Sequence, residues 1–181
     1  MDPLGLCGEE SNGPSVEAPF VTSPEEIALE PVTAEDHQQE ARDRIAENAA
    51  SLAGSEYVWR GHQMGAVDCS GTVYYSYTEA GLEIERLTAQ GYHDTMTVIN
   101  REELQPADII TYSNENQDDR VTHVQVYIGT AVDRYGNIAD DAVINAGSAE
   151  TGVYIVSLEE YTSWPDTQHL TPHYGTLLDQ E

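Results

Sequence analysis

The chain has 181 residues, and its 33 Asp and Glu against 7 Arg, with no Lys, give a formal net charge of −26. Such a polyanion repels phosphate backbones and anionic lipid surfaces, which argues against nucleic-acid or membrane partners, and no apolar run is long enough to span a bilayer. The length suits one domain of common size with a real core.

Residues 1–34 read as an extended arm, broken by Pro3, Pro14, Pro19, Pro24 and Pro31 with Gly5, Gly8 and Gly13 among them. Ser23-Pro24-Glu25-Glu26 resembles a helix start, but Pro31 would stop any such helix early. No basic start followed by an apolar core opens the chain, so export by the usual route is not expected from these residues. Residues 35–181 form the expected domain.

A helix is expected from about Ala34 to Leu52. Thr33 can cap it, with Asp36 three residues on. Ala41, Ile45, Ala49 and Leu52 make one apolar stripe at helical spacing, and Gly54 ends it. A second helix opens at Asp68-Cys69-Ser70 and runs to Ala80, with Val73, Tyr74 and Tyr77 inward, before Gly81. The period then changes to two. Stretches 107–112, 122–129, 141–146 and 152–156 read as strands. Helices followed by an antiparallel run of strands predict an α+β fold.

Three residues could carry chemistry. Cys69 lies just inside a helix N-terminus, where unpaired N–H groups and the helix dipole favour thiolate. A lone cysteine there is more often plain core. His123 starts a strand on which Val124, Val126 and Ile128 share the core side. His123, Gln125 and Tyr127 share the other, which leaves the imidazole available as a base or simply at the surface. Asn145 interrupts a third apolar strand with a side chain able to accept the imidazole N–H, or to favour the turn at Gly147.

Taken in order, these residues resemble the NlpC family of papain-like cysteine peptidases, best known as peptidoglycan endopeptidases. Tyr57-Val58-Trp59-Arg60-Gly61 is similar to the family's Tyr-x-Trp-Gly-Gly, and Asp68-Cys69-Ser70-Gly71 matches its nucleophile motif. Ala80-Gly81-Leu82, Arg86-Leu87-Thr88-Ala89-Gln90 and Leu104-Gln105-Pro106-Ala107-Asp108-Ile109 resemble the stretches that follow. His123-Val124-Gln125-Val126-Tyr127-Ile128-Gly129 resembles His-Val-Gly-Ile-Tyr-Ile-Gly, and Asn145 stands at the family's polar third residue, usually His. The resemblance runs from about Ala46 to Leu158. It implies a papain-like fold with helices on a small antiparallel sheet and the nucleophile at a helix N-terminus. It implies Cys69 as nucleophile, His123 as base and then acid, and Asn145 as the residue orienting it. Tyr57 would line the site, and Asp68 and Ser70 would help hold a substrate amine. The expected activity is hydrolysis of an amide bond in a cell-envelope peptide, without a cofactor. Arg60, Gln125 and Asn145 depart from the pattern, and residues 130–140 suggest a longer hairpin loop.

The remaining features read blandly. Cys7, in the arm, is expected as a free thiol. His169 and His173 flank Pro172 and make a poor metal site, and His62 and His93 are cleft neighbours or solvated. Asp118-Asp119 and Asp140-Asp141 read as solvated loop charges. The charge itself, with Lys absent, suggests adaptation to molar salt, where the Debye length falls to roughly 3 Å and self-repulsion fades. A second reading makes the chain a structural subunit of an assembly, such as the tail of a virus of a halophilic host. The arm would then wrap neighbouring tail proteins, and the chain would be virion-associated or act at the cell envelope.

Overall fold

The structure, a computed structural model, describes residues 30–178. The elements below belong to the unit Thr33–Glu181. The short helix considered near Ser23 and the thiol of Cys7 lie outside the described residues.

Helix α1 (Ala34–Ser51) begins at a reciprocal cap. The Thr33 hydroxyl accepts the Asp36 N–H at 3.2 Å, and the Asp36 carboxylate accepts the Thr33 N–H at 2.8 Å. Ile45, Ala49 and Leu52 are fully buried, as their spacing predicts. Arg42 is buried beside them, which periodicity did not suggest. Its guanidinium donates to the Asp108 carboxylate at 2.8 Å and to the Pro106 carbonyl at 3.1 Å. Asp108 also accepts the Gln105 N–H at 2.9 Å. A buried ion pair with its other valences filled is tolerable, and this one ties α1 to the turn that leads into the strand at Ile109.

Three two-residue strands follow: β1 (Glu56–Tyr57), β2 (His62–Gln63) and β3 (Ala66–Val67), in spatial order β1-β3-β2. They are too short to carry a period-two signal. Helix α2 (Cys69–Glu79) is capped by Asp68, whose carboxylate accepts the Gly71 N–H at 2.6 Å. Val73 and Tyr77 are fully buried, but Tyr74 is only half-buried. Thr72 and Ser76 take inner positions instead. Their hydroxyls donate to the Asp68 and Thr72 carbonyls at 2.9 and 2.6 Å, so they enter the core with their polarity satisfied. Helix α3 (Ala89–Thr95) is capped by Thr88.

The main sheet contains β4 (Thr97–Val98), β5 (Ile109–Asn114), β6 (Arg120–Val132), β7 (Ile138–Ser148), β8 (Gly152–Ser157) and β9 (Leu170–Thr176). Its order is β4-β9-β5-β6-β7-β8, antiparallel throughout. The short helix α4 (Leu158–Ser163) joins β8 towards β9. The four expected strands correspond to β5–β8. Residues 130–140 do not form a long loop: β6 and β7 continue towards each other and leave a turn over 133–137. The Asp133 carboxylate holds that turn by accepting the Tyr135 and Asn137 N–H groups at 2.8 and 2.9 Å. Asp140 and Asp141 therefore lie on β7. Asp141 accepts the Ser157 hydroxyl and the Glu159 N–H at 2.8 and 2.9 Å and so steadies the start of α4.

Strand β9 runs through Pro172, the register partner of Tyr112. β4 pairs only with Gly175 and Thr176, so Pro172 lies where β9 is the outer strand and a missing donor is tolerated. Helices α1, α2 and α3 cover one face of the sheet with a core that includes Ile45, Leu52, Val73, Tyr77, Val124, Val126 and Ile144. A second cluster of Ile110, Tyr112, Val143, Val156, Leu158 and Tyr161 covers the other. The face expected to be open beside His123 is therefore closed, and Gln125 on it is fully buried. α4 supplies the cover.

Candidate active site

The site forms where α2 meets β6. Cys69 is the first residue of α2 and is free. The backbone N–H groups of Val124, Ser70 and Cys69 itself lie near enough to its sulfur to favour thiolate, so the thiol lies against the residue that follows His123. Gly71 permits a close approach from the other side: a Cβ there would strike the carbonyl oxygen of Gly61. That carbonyl also accepts the Asp68 N–H at 3.0 Å.

His123 and Asn145 are joined directly. Nε2 of His123 stands 2.6 Å from Oδ1 of Asn145. An amide oxygen only accepts, so Nε2 carries the proton and Nδ1 keeps the basic lone pair. The strands dictate this meeting. Val126 pairs with Ile144 across β6 and β7, which sets the adjacent Gln125 and Asn145 side by side on the opposite face. The Gln125 amide donates to the same Asn145 oxygen at 2.7 Å, and the Tyr112 hydroxyl donates to Gln125 Oε1 at 2.6 Å. The Asn145 amide in turn donates to the Tyr154 hydroxyl at 2.9 Å. Four adjacent strands, β5 to β8, thus supply one hydrogen-bonded row behind the imidazole. Tyr112 and Tyr161 flank the His123 ring with centroids at 5.8 and 6.2 Å.

Electrostatics oppose an ionised resting pair. Burial pushes the Cys69 thiol up to about 11, the Asp68 charge adds to this, and the three N–H groups offset only part. Burial likewise lowers the His123 pKa, against the bond to Asn145. The helix-terminus argument for thiolate is therefore outweighed. Asp68 takes the Gly71 N–H and brings a negative charge where the dipole would have acted.

Tyr57 lies next to Cys69 and Asp68, and burial followed by their charges raises its pKa. Asp68 is buried and heavily engaged. Besides Gly71 it accepts the Arg60 N–H at 2.9 Å, the Ser70 hydroxyl at 3.1 Å and the Arg86 guanidinium at 3.0 Å. Arg86 also donates to the Ser70 hydroxyl at 2.8 Å. Sequence reasoning named Asp68 and Ser70 but not Arg86, although it stands in one of the quoted motif stretches. It gave no role to Gln125, Tyr112 or Tyr154, whose parts appear only once neighbouring strands are in register. A cleft of about 950 Å³ opens beside Cys69, lined among others by Tyr57, Trp59, Arg60 and Arg120.

Among the described residues, no cluster of three or more His, Cys, Asp or Glu could hold a metal ion. His173 lies against His93 instead, ring centroids 4.9 Å apart, and its Nε2 meets the Ser113 hydroxyl at 3.0 Å.

Comparison with known proteins agrees with this architecture. The bifunctional muramidase/DL-endopeptidase CwlT of Bacillus subtilis is 30% identical over 88 residues, 48% of this chain and 26% of that protein. The gamma-D-glutamyl-L-lysine dipeptidyl-peptidase of Bacillus cereus is 28% identical over 118 residues, 65% of this chain and 32% of that protein. The chain thus spans about a quarter to a third of these relatives. The crystal structure of an NlpC/P60 family protein from Bacillus cereus superposes with a TM-score of 0.61 at 23% identity, covering 76% of this chain and 40% of that one. RipD of Mycobacterium tuberculosis, described as a non-catalytic NlpC/p60 domain protein adapted to peptidoglycan binding, gives 0.54 at 18% identity, covering 76% and 98%. The NlpC/P60 family model matches residues 54–166, more than half of the chain, which belongs to that family.

Proposed function

We propose that the domain is a cysteine hydrolase that cleaves an amide bond in a cell-envelope peptide. Cys69 attacks the carbonyl carbon and His123 Nδ1 takes the thiol proton. Asn145 holds the ring in the tautomer that makes this possible. Collapse of the tetrahedral intermediate passes the proton to the leaving amine and leaves a thioester, which water activated by His123 hydrolyses. The N–H of Cys69 would stabilise the developing oxyanion. Tyr57, Asp68 and Ser70 would wall the substrate side. A substrate amine meeting Asp68 would share the carboxylate with Arg86.

The observation that carries the reading is the 2.6 Å bond between His123 Nε2 and Asn145 Oδ1, one residue from the backbone against which the Cys69 sulfur lies. The curated relatives support it, being named as endopeptidases and a dipeptidyl-peptidase. Their names favour an enzyme over an assembly subunit. A resting neutral pair is compatible with catalysis in which the proton moves only as the thiol attacks. The test is release of peptide fragments from cell-wall material in molar salt by the native chain and by Cys69→Ala. Native cleavage and a silent, folded variant are expected. Equal cleavage by both would remove the assignment.

A further inference from the structure

The row behind His123 can be joined in two directions. Asn145 and Gln125 carry an oxygen and a nitrogen on planar amides, and the Tyr112 and Tyr154 hydroxyls can donate or accept. In the observed direction, Tyr112 donates to Gln125, Gln125 and His123 donate to Asn145, and Asn145 donates to Tyr154. With both amides turned over, Tyr154 would donate to the Asn145 oxygen, Asn145 to Gln125 and to His123 Nε2, and Gln125 to Tyr112. The number of bonds is the same, but the imidazole is not. Its proton would sit on Nδ1, and its lone pair would be tied to Asn145 and lost to the proposed reaction.

The two ends of the row decide between the directions. The observed one uses the Tyr112 hydrogen and leaves the Tyr154 hydrogen over; the other does the reverse. Tyr112 is 1% exposed, and among the described residues no acceptor besides Gln125 Oε1 meets its hydroxyl. Tyr154 is only half-buried, so its spare hydrogen can reach water. A hydrogen left without an acceptor in the interior costs more than one left at the surface. Gln125, fully buried, passes this demand from Tyr112 to Asn145. Gln125 and Asn145 are also two positions at which the chain departs from the motif it resembles. An amide in place of the usual His can turn either atom to the ring, and Gln125, in place of a glycine, removes the choice.

We propose that Gln125, turned by the buried Tyr112 hydroxyl, is a positioning residue that fixes the Asn145 amide and so keeps the His123 proton on Nε2. Its effect on the reaction passes through Asn145 to the ring. The proposal rests on His123 Nδ1 as the base of the proposed hydrolase, yet the tautomer can be read without any substrate.

The protonated and the lone-pair nitrogen of a neutral imidazole resonate far apart, so nitrogen NMR of histidine-labelled protein reports the tautomer directly. At about pH 8 the ring is neutral, its pKa being lowered by burial, and His123→Gln assigns its signals among the six His. In salt where all variants are folded, the native chain should hold the Nε2–H form in roughly tenfold excess or more. The Nδ1–H share should rise several-fold in Gln125→Met, and also in Tyr112→Phe, where nothing holds the Gln125 oxygen. Gln125→Met strands the Tyr112 hydroxyl. The double variant Tyr112→Phe/Gln125→Met removes that burden and should show the same raised share. With a cleavable peptide, kcat should fall in step with the lost Nε2–H share while KM stays near native. Leu52→Ala, which loosens the opposite face of the sheet, should leave the ratio unchanged. A ratio unmoved in the double variant would overturn the proposal, as would an equal response in Leu52→Ala. A native ring carrying its proton on Nδ1 would overturn it and remove the base assignment too. The expected tautomer shifts beside undiminished cleavage by Cys69→Ala would sink the hydrolase reading alone.

Discussion

The two faces of the main sheet are built by different rules. On the face under α1, α2 and α3, the sheet's inward residues are mostly aliphatic, among them Val124, Val126, Ile128, Ile144 and Ala146. Their contribution scales with area removed from water and is indifferent to direction. On the face under α4, the same strands present Tyr112, His123, Gln125, Asn145 and Tyr154 in one directional row. Among the described residues, no buried side-chain polar atom lacks a partner, so this row is complete. One residue of register shift would exchange the two faces. The aliphatic side therefore holds the register that makes the polar side possible.

The contrast can be broken from either side. The largest effect is expected on the aliphatic face, where Leu52→Ala should cost about 2–5 kcal/mol of unfolding free energy. Calorimetry should show the loss, while the pH dependence of hydrolysis stays as in the native chain. On the polar face, Asn145→Ala leaves the His123 and Gln125 donors without their shared acceptor. That should cost about 1–3 kcal/mol in stability and lower kcat by roughly 10²-fold or more, since the imidazole loses the bond that selects its tautomer. An Asn145→Ala enzyme with native kcat would make the row structural only. Gln125→Leu is subtler. It strands the buried Tyr112 hydroxyl, for which we expect a loss of about 1–3 kcal/mol. Adding Tyr112→Phe should restore much of the stability, since both polar partners are then gone. It should not restore activity, because Asn145 still lacks its lateral donor.

The same contrast governs how much could be read from sequence. The aliphatic face repeats at periods of 3.6 and 2, so α1, α2 and β5–β8 were legible, as was the Thr33 cap. The polar face has no period of its own. Gln125 read as a departure from a motif, yet it is the joint between Tyr112 and Asn145, which only register reveals. The cover of that face was missed because α4 has six residues, too few for a hydrophobic period. β9 was not read as a strand; Pro172 stands within it, which an outer strand tolerates. The candidate site residues stand in local motifs, Asp68-Cys69-Ser70-Gly71 above all, and could be proposed from them. Arg42 and Arg86 were not placed, because what brings each inside is an aspartate distant in sequence, Asp108 and Asp68.

The smallest expected effect is the dependence on pH, and it joins the two faces because Cys69 packs against the aliphatic cluster while His123 belongs to the polar row. His123 has a folded pKa below its ordinary value of 6.5. Below that ordinary value the unfolded chain binds the extra proton more readily than the folded one, so stability should fall as pH drops from 6.5 through the folded value. Cys69 is shifted the other way, from an ordinary 9.0 to about 11. Above pH 9 the unfolded chain loses its thiol proton first, so this contribution falls as pH rises towards 11. Between the two limits both groups are neutral in either state and contribute no slope. Thermal unfolding across pH 5–10 should therefore show an acid shoulder that weakens in His123→Gln and an alkaline one that weakens in Cys69→Ala. Alkylation of Cys69 by iodoacetamide should keep rising from pH 7 to 10, as the thiolate fraction grows. A rate already level at pH 6 would mean that the pair rests as thiolate and imidazolium. The hydrogen-bonded row would then be stabilising a charged ring, which burial argues against.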